Sequence, residues 1–86
     1  MKIVFTDHAK RRIRERNLTL KDVRAFIERP DSIEPSLKNL KRYLLKKLYF
    51  HSVLKRRHLL MAVCEYEAHT LVVVTIIDTS QIRKYI

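Results

Sequence analysis

The chain has 86 residues, with 19 lysines and arginines against 9 acids and a formal net charge of +10. Hydrophobic residues make up 47% of it and there is one cysteine, so a folded core without an internal disulfide is expected. No apolar run approaches the ~20 residues that span a bilayer. These figures predict one domain over residues 1–86, soluble and cytoplasmic, with no membrane partner and a polyanion as its default ligand.

Ile3-Val4-Phe5 is a short apolar, partly β-branched run and predicts a first strand. Thr6 and Asp7 are good N-caps, and a helix is expected from Asp7 to about Asn17. Its apolar content is thin, Ala9 and Ile13, so it must lie on the surface with a narrow buried stripe. A second helix is announced by Thr19 with Asp22 three residues on, a variant of the capping box, and Leu18 and Val23 flank the cap at staple spacing. Val23, Phe26 and Ile27 then follow helical periodicity, and Pro30 ends it.

The middle of the chain carries two signals. Leu37, Leu40, Leu44, Leu45 and Leu48 recur at helical spacing, whereas Ser32 to Pro35 reads as extended and Tyr43 to Phe50 is rich in aromatic and bulky residues. The remainder of the chain suits strands: His58 to Tyr66, a four-residue polar gap of hairpin length, then Leu71 to Ile77, apolar on both faces like an interior strand. Strands are therefore expected over 43–50, 58–66 and 71–77.

Several function classes fall away. Glycine is absent, so there is no phosphate-cradling loop, no dinucleotide fingerprint and no nucleophile elbow. His58, Cys64 and His69 have no recognised zinc spacing, and Cys64 in an apolar strand reads as a small core residue. Neither a metal nor a cofactor is expected.

The cations are clustered: Lys10, Arg11, Arg12, Arg14 and Arg16; Lys38, Lys41, Arg42, Lys46 and Lys47; Lys55, Arg56 and Arg57; Arg83 and Lys84. Long cationic side chains grouped in this way are what phosphate contacts require, although a solvated face is the plainer explanation for any one group. The sharpest constellation is on the first helix. His8, Arg12 and Arg16 are four apart and share one face, with His8 in the first turn, where the helix dipole and neighbouring cations disfavour the imidazolium. A neutral imidazole accepts a proton, and two arginines can hold a phosphodiester. The plainer alternative is an exposed basic helix on which His8 is a cap or ornament. Near the C-terminus, Ile82, Tyr85 and Ile86 read either as an anchor or, with Arg83 and Lys84, as a phenol and cations beside a phosphate.

The pattern Thr6-Asp7-His8-Ala9, Arg12, Glu15-Arg16, Thr19 to Val23 and Pro30, with the later Val72-Val73-Val74-Thr75 run and Arg83-Lys84-Tyr85, resembles an uncharacterised bacterial and archaeal domain family. That family is placed near the RelE/ParE and BrnT-like toxins. The resemblance implies an α+β fold, two N-terminal helices packed on an antiparallel sheet of about four to five strands. It also implies a metal-independent ribonuclease toxin acting on RNA, in some relatives on the ribosome, and neutralised by an acidic antitoxin protein. On that expectation the RNA 2′-hydroxyl attacks the adjacent phosphate, with His8 as base, Arg12 and Arg16 stabilising charge, and Tyr85 or Lys84 as a further partner. Arg11, Lys46, Lys47, Arg56, Arg57, Arg83 and Lys84 would bind the nucleic acid backbone. The alternative is a non-catalytic basic module of the same fold, ParE-like or RNA-binding, with Tyr43, Tyr49 and Phe50 as candidate stacking surfaces.

Overall fold

In the computed structural model, which describes residues 2–39 and 41–86, the chain opens with strand β1 (Lys2–Phe5) and turns at once into helix α1 (Asp7–Glu15). Thr6 makes that turn. Its Oγ1 accepts the Ala9 N–H at 3.0 Å, as an N-cap does, and donates at 2.8 Å to the carbonyl of Val74 on the last strand. A bulge presents that carbonyl: Val63 pairs with Thr75 and Cys64 with Val73, so Val74 has no residue opposite it.

The expected extension of α1 to Asn17 is not seen; the helix ends at Glu15. Asn17 turns into the left-handed region at φ 57°, its N–H bonds the Arg14 carbonyl, and the Leu18 N–H bonds that of Ile13. This is a Schellman terminus, usually built on glycine; in a chain without glycine, asparagine is among the residues that tolerate it best. Helix α2 (Leu20–Glu28) has both halves of its predicted capping box, with Thr19 Oγ1 accepting from the Asp22 N–H at 3.1 Å and Asp22 accepting from the Thr19 N–H at 3.4 Å.

Four strands complete the sheet: β2 (Ser32–Pro35), β3 (Arg42–His51), β4 (Arg56–Glu67) and β5 (Thr70–Thr79), then a 3-10 turn over Ile82–Lys84. The sheet order is β1-β5-β4-β3-β2. The fold is α+β, with the two helices N-terminal after the first strand, but the expected antiparallel sheet is in fact mixed. β2 to β5 pair antiparallel, while β1 lies parallel to β5. Connectivity explains the difference. No hairpin joins β1 to β5; α1 and α2 carry the chain to the far edge of the sheet, and that long crossover permits a parallel pairing.

The strand expected over 43–50 is present as β3, and the leucine spacing does not mark a helix. Leu45 faces the helices, Leu44 faces the other way, Leu37 is exposed, and Leu40 lies outside the described residues. The β4–β5 hairpin turns on Ala68 and His69, both at positive φ (47° and 62°), positions that asparagine and glycine usually fill.

The core lies between the helices and one sheet face. Ala9, Ile13, Val23, Phe26 and Ile27 pack on Leu45, Leu60, Ala62, Cys64, Leu71, Val73 and Ile76. Ala62 and Cys64, both 0% exposed, are small enough to bring the helices close to the sheet. Burial pushes the Cys64 thiol up to about 12. Among the described residues, no helix is long and apolar enough to cross a membrane.

Candidate nucleic-acid interface

Helix α1 displays the first basic cluster. Its buried stripe, Ala9 and Ile13, faces the sheet, leaving His8, Lys10, Arg11 and Arg14 exposed and Arg12 half-buried. None of these cations forms an ion pair among the described residues; the ion pairs there involve Arg42, Lys46, Lys47 and His58. His8 is the second residue of the helix, and its Nε2 lies 3.0 Å from Thr75 Oγ1 on β5. Arg12 follows one turn later. Arg16 is the C-cap, exposed, with its backbone N–H on the Arg12 carbonyl. His8 thus stands in the first turn of α1, Arg12 in its last turn and Arg16 at its C-cap.

Tyr85 is elsewhere. It lines two grooves with Leu44, Lys46, Leu59, Met61 and Ile77, on the sheet face opposite the helices. Lys46 sits there too, paired with Glu34 at 2.6 Å and donating to the Tyr85 carbonyl at 2.9 Å. Lys84 rests with its ammonium 5.8 Å from the centre of the Tyr85 ring, and Arg83 is exposed beside it. Lys47 donates to the Arg29 carbonyl at 3.0 Å, while Arg56 and Arg57 are exposed at the start of β4. The expected binding residues thus fall into separate groups: the α1 flank, the β3–β4 end and the C-terminal turn.

Sequence reasoning missed a buried polar cluster. Asp78, 7% exposed, accepts the Tyr49 hydroxyl at 2.6 Å, and both its oxygens lie 3.1 Å from His58 Nδ1. His58 is 5% exposed, and its Nε2 is buried without a hydrogen-bond partner among the described residues. The His51 ring lies 5.0 Å from that of His58, centre to centre. His51 Nδ1 accepts the Leu54 N–H, so its Nε2 carries the proton and donates to the Arg16 carbonyl at 3.3 Å. Burial, and then the hydrogen bond to Asp78, hold the Tyr49 phenol well above its ordinary value of 10.0. Chemically this is a carboxylate-held imidazole with one idle acceptor, enclosed beside the C-terminal end of α1. The signal was strand alternation: Tyr49 and His51 are in phase with Leu45, and His58 with Leu60, Ala62 and Cys64. No group of three or more His, Cys, Asp or Glu side chains among the described residues is placed to hold a metal.

A family model described as "Domain of unknown function (DUF4258)" matches residues 5–78. The chain belongs to the DUF4258 family. The match begins at the last residue of β1 and ends on Asp78, so the DUF4258 segment contains the His8-Arg12-Arg16 flank and the whole Tyr49, His51, His58 and Asp78 cluster. Arg83, Lys84 and Tyr85 lie beyond it. No curated protein and no solved structure gives a significant match to the chain.

Proposed function

We propose that this DUF4258 domain is a toxin-like protein of the RelE/ParE and BrnT-like kind, acting in the cytoplasm, that binds RNA and cleaves it by 2′-hydroxyl attack. The observation that carries the reading is the α1 flank: cations without an acidic partner among the described residues, beside a surface imidazole held at the helix start by Thr75. In the reaction His8 takes the 2′-hydroxyl proton, the 2′-oxygen bonds to phosphorus, and the bond from phosphorus to the 5′-oxygen breaks. The products are a 2′,3′-cyclic phosphate and a 5′-hydroxyl, the latter protonated from solvent. Arg12 opposes the charge that builds on the phosphorane, and Arg16 anchors the next phosphate along.

An acidic protein partner of the antitoxin kind belongs to the same reading. Its support is the groove of about 730 Å³ on the far sheet face, where Leu37, Met61 and Ile77 are rimmed by Lys38 and Arg42.

The second reading is a non-catalytic module that binds RNA or protein through the same cations. It is favoured by the exposed cations outside α1, Arg56 and Arg57 at the start of β4 and Arg83 and Lys84 in the C-terminal turn, which a binding surface uses and proton transfer at His8 does not need. End-labelled RNA incubated with the pure domain, and separately in a translating extract, decides between them. Cleavage in either setting with a cyclic-phosphate end supports the enzyme; retention of intact RNA in both supports the module.

A further inference from the structure

A pocket of about 280 Å³ opens beside the C-terminal end of α1. Glu15 and Arg16 line it from the helix, Leu54 from the β3–β4 turn and Gln81 from the chain beyond β5. His58 and Asp78 line it as well, so the pocket reaches the buried cluster.

The two buried groups differ in what they have left to offer. Asp78 is committed within the protein, accepting from Tyr49 at 2.6 Å and from His58 Nδ1 at 3.1 Å. A carboxylate only accepts, so the His58 proton sits on Nδ1 and Nε2 keeps a bare lone pair. That nitrogen is buried and has no hydrogen-bond partner among the described residues. Most buried polar side-chain atoms are paired, so an orphan acceptor in the wall of a pocket marks a place for a donor. Arg16 is exposed at the same pocket and forms no ion pair among the described residues.

We infer that this pocket receives a ribose of bound RNA, whose 2′-hydroxyl donates to His58 Nε2. The inference rests on the RNA-binding function proposed above, in which Arg16 anchors a phosphate at this end of α1, and it names how the domain tells RNA from DNA. A neutral hydroxyl is the donor that suits the site. An ionised phosphate alone offers Nε2 no proton and meets Glu15, a cation meets Arg16, and an apolar molecule leaves the buried lone pair unpaired. A sugar joined to a phosphate meets both needs, with the hydroxyl on Nε2, the phosphate on Arg16 and the Gln81 amide near the remaining oxygens. The volume falls just below the ~300–1,000 Å³ of drug-sized ligand sites, which suits one sugar ring. Leu54 is 50% exposed and Arg16 is exposed, so a sugar reaches the imidazole by displacing surface side chains while the core stays in place.

The test follows the imidazole nitrogen resonances of the ¹⁵N-labelled wild-type chain as adenosine 5′-monophosphate, its 2′-deoxy counterpart and inorganic phosphate are added in turn. Adenosine monophosphate should move His58 Nε2 from a free lone pair to a hydrogen-bonded acceptor while Nδ1 stays protonated. The deoxynucleotide should bind roughly 2- to 13-fold more weakly, the worth of one hydrogen bond, and leave Nε2 in place. Inorganic phosphate should not move it either. A parallel measurement asks whether the chain binds or cleaves labelled single-stranded RNA at low salt. If it does, equal affinity for the two nucleotides, or an Nε2 resonance that neither moves, overturns the ribose pocket and leaves the RNA reading intact. An equal shift with inorganic phosphate makes the pocket an anion site and also overturns it. Failure of the chain to bind or cleave that RNA overturns both.

Discussion

Replacing Asp78 by asparagine tests whether the buried cluster is a satisfied network or a tolerated defect. The wild-type carboxylate is 7% exposed and accepts two hydrogen bonds, from Tyr49 at 2.6 Å and from His58 Nδ1 at 3.1 Å. Asparagine keeps the shape but has one oxygen and one NH₂. If its oxygen keeps Tyr49, its NH₂ faces His58 Nδ1, and the imidazole must move its proton to Nε2. That atom is buried with no acceptor among the described residues, so the variant exchanges an idle lone pair for an unpaired buried N–H. Such a donor costs about 1–3 kcal/mol, and loss of a charged acceptor adds about 1 kcal/mol, giving roughly 2–4 kcal/mol for Asp78→Asn. Whole domains of this size are stable by about 4–13 kcal/mol, so the melting temperature should fall by roughly 8–32 °C. Urea and thermal denaturation followed by circular dichroism measure it, with Tyr49→Phe completing a double-mutant cycle. A variant within about 0.5 kcal/mol of wild type, or a cycle with no coupling between Tyr49 and Asp78, would refute the network.

Three further outcomes are expected. His8→Ala should lower RNA cleavage by roughly 10²–10⁴-fold while leaving RNA affinity almost unchanged; undiminished cleavage removes His8 as the base. Thr19→Ala should cost about 1 kcal/mol and lower the melting temperature by about 4–8 °C, because it removes the hydroxyl that accepts the Asp22 N–H at the start of α2; an unchanged melt would show that tertiary packing alone fixes the start of α2. Alkali should destabilise the fold. Cys64 is raised from 9.0 to about 12, and Tyr49 is raised from 10.0, so both hold their protons more tightly folded than unfolded. The stability they support is whole below pH ~9 and declines as pH rises from there toward ~12, at roughly 1 kcal/mol per pH unit for the buried thiol. A urea midpoint that stays constant from pH 8 to 11 would contradict it.

What could be read from the sequence was local. The cap of α2 is written in four consecutive residues, Thr19 to Asp22, and the structure forms both of its bonds. The interior strand β5 is written in an unbroken β-branched run. The end of α1 was harder, since Asn17 had to take the left-handed role that glycine signals elsewhere, and this chain has no glycine. The parallel β1–β5 pairing was beyond reach, because Lys2–Phe5 and Thr70–Val73 meet only after the whole chain between them has folded. The buried cluster shows the same limit. Tyr49, His58 and Asp78 come from three strands, and each alone looks like a surface residue or the end of an apolar run. Their phase along β3 and β4 was visible, but the carboxylate that draws them together was not.

The two ends of α1 explain why a helix with so thin an apolar stripe can carry a working surface. At its start, Thr6 is bonded to Val74 and His8 to Thr75; at its end, the Arg16 carbonyl is bonded by His51, whose other nitrogen orders the β3–β4 turn at Leu54. Two buried side chains, Ala9 and Ile13, could not alone fix the helix in rotation against the repulsion of five cations over Lys10 to Arg16. The polar ties at both ends supply that constraint. They also connect the surface to the interior, because the ring that holds Arg16 packs against His58, and His58 is held by Asp78. The basic flank and the buried carboxylate are therefore parts of one arrangement around the end of α1. On the function proposed above, electrostatic attraction along the helix would need only its charge, but holding a phosphodiester at one place on it would need the helix to stay where its polar ties set it.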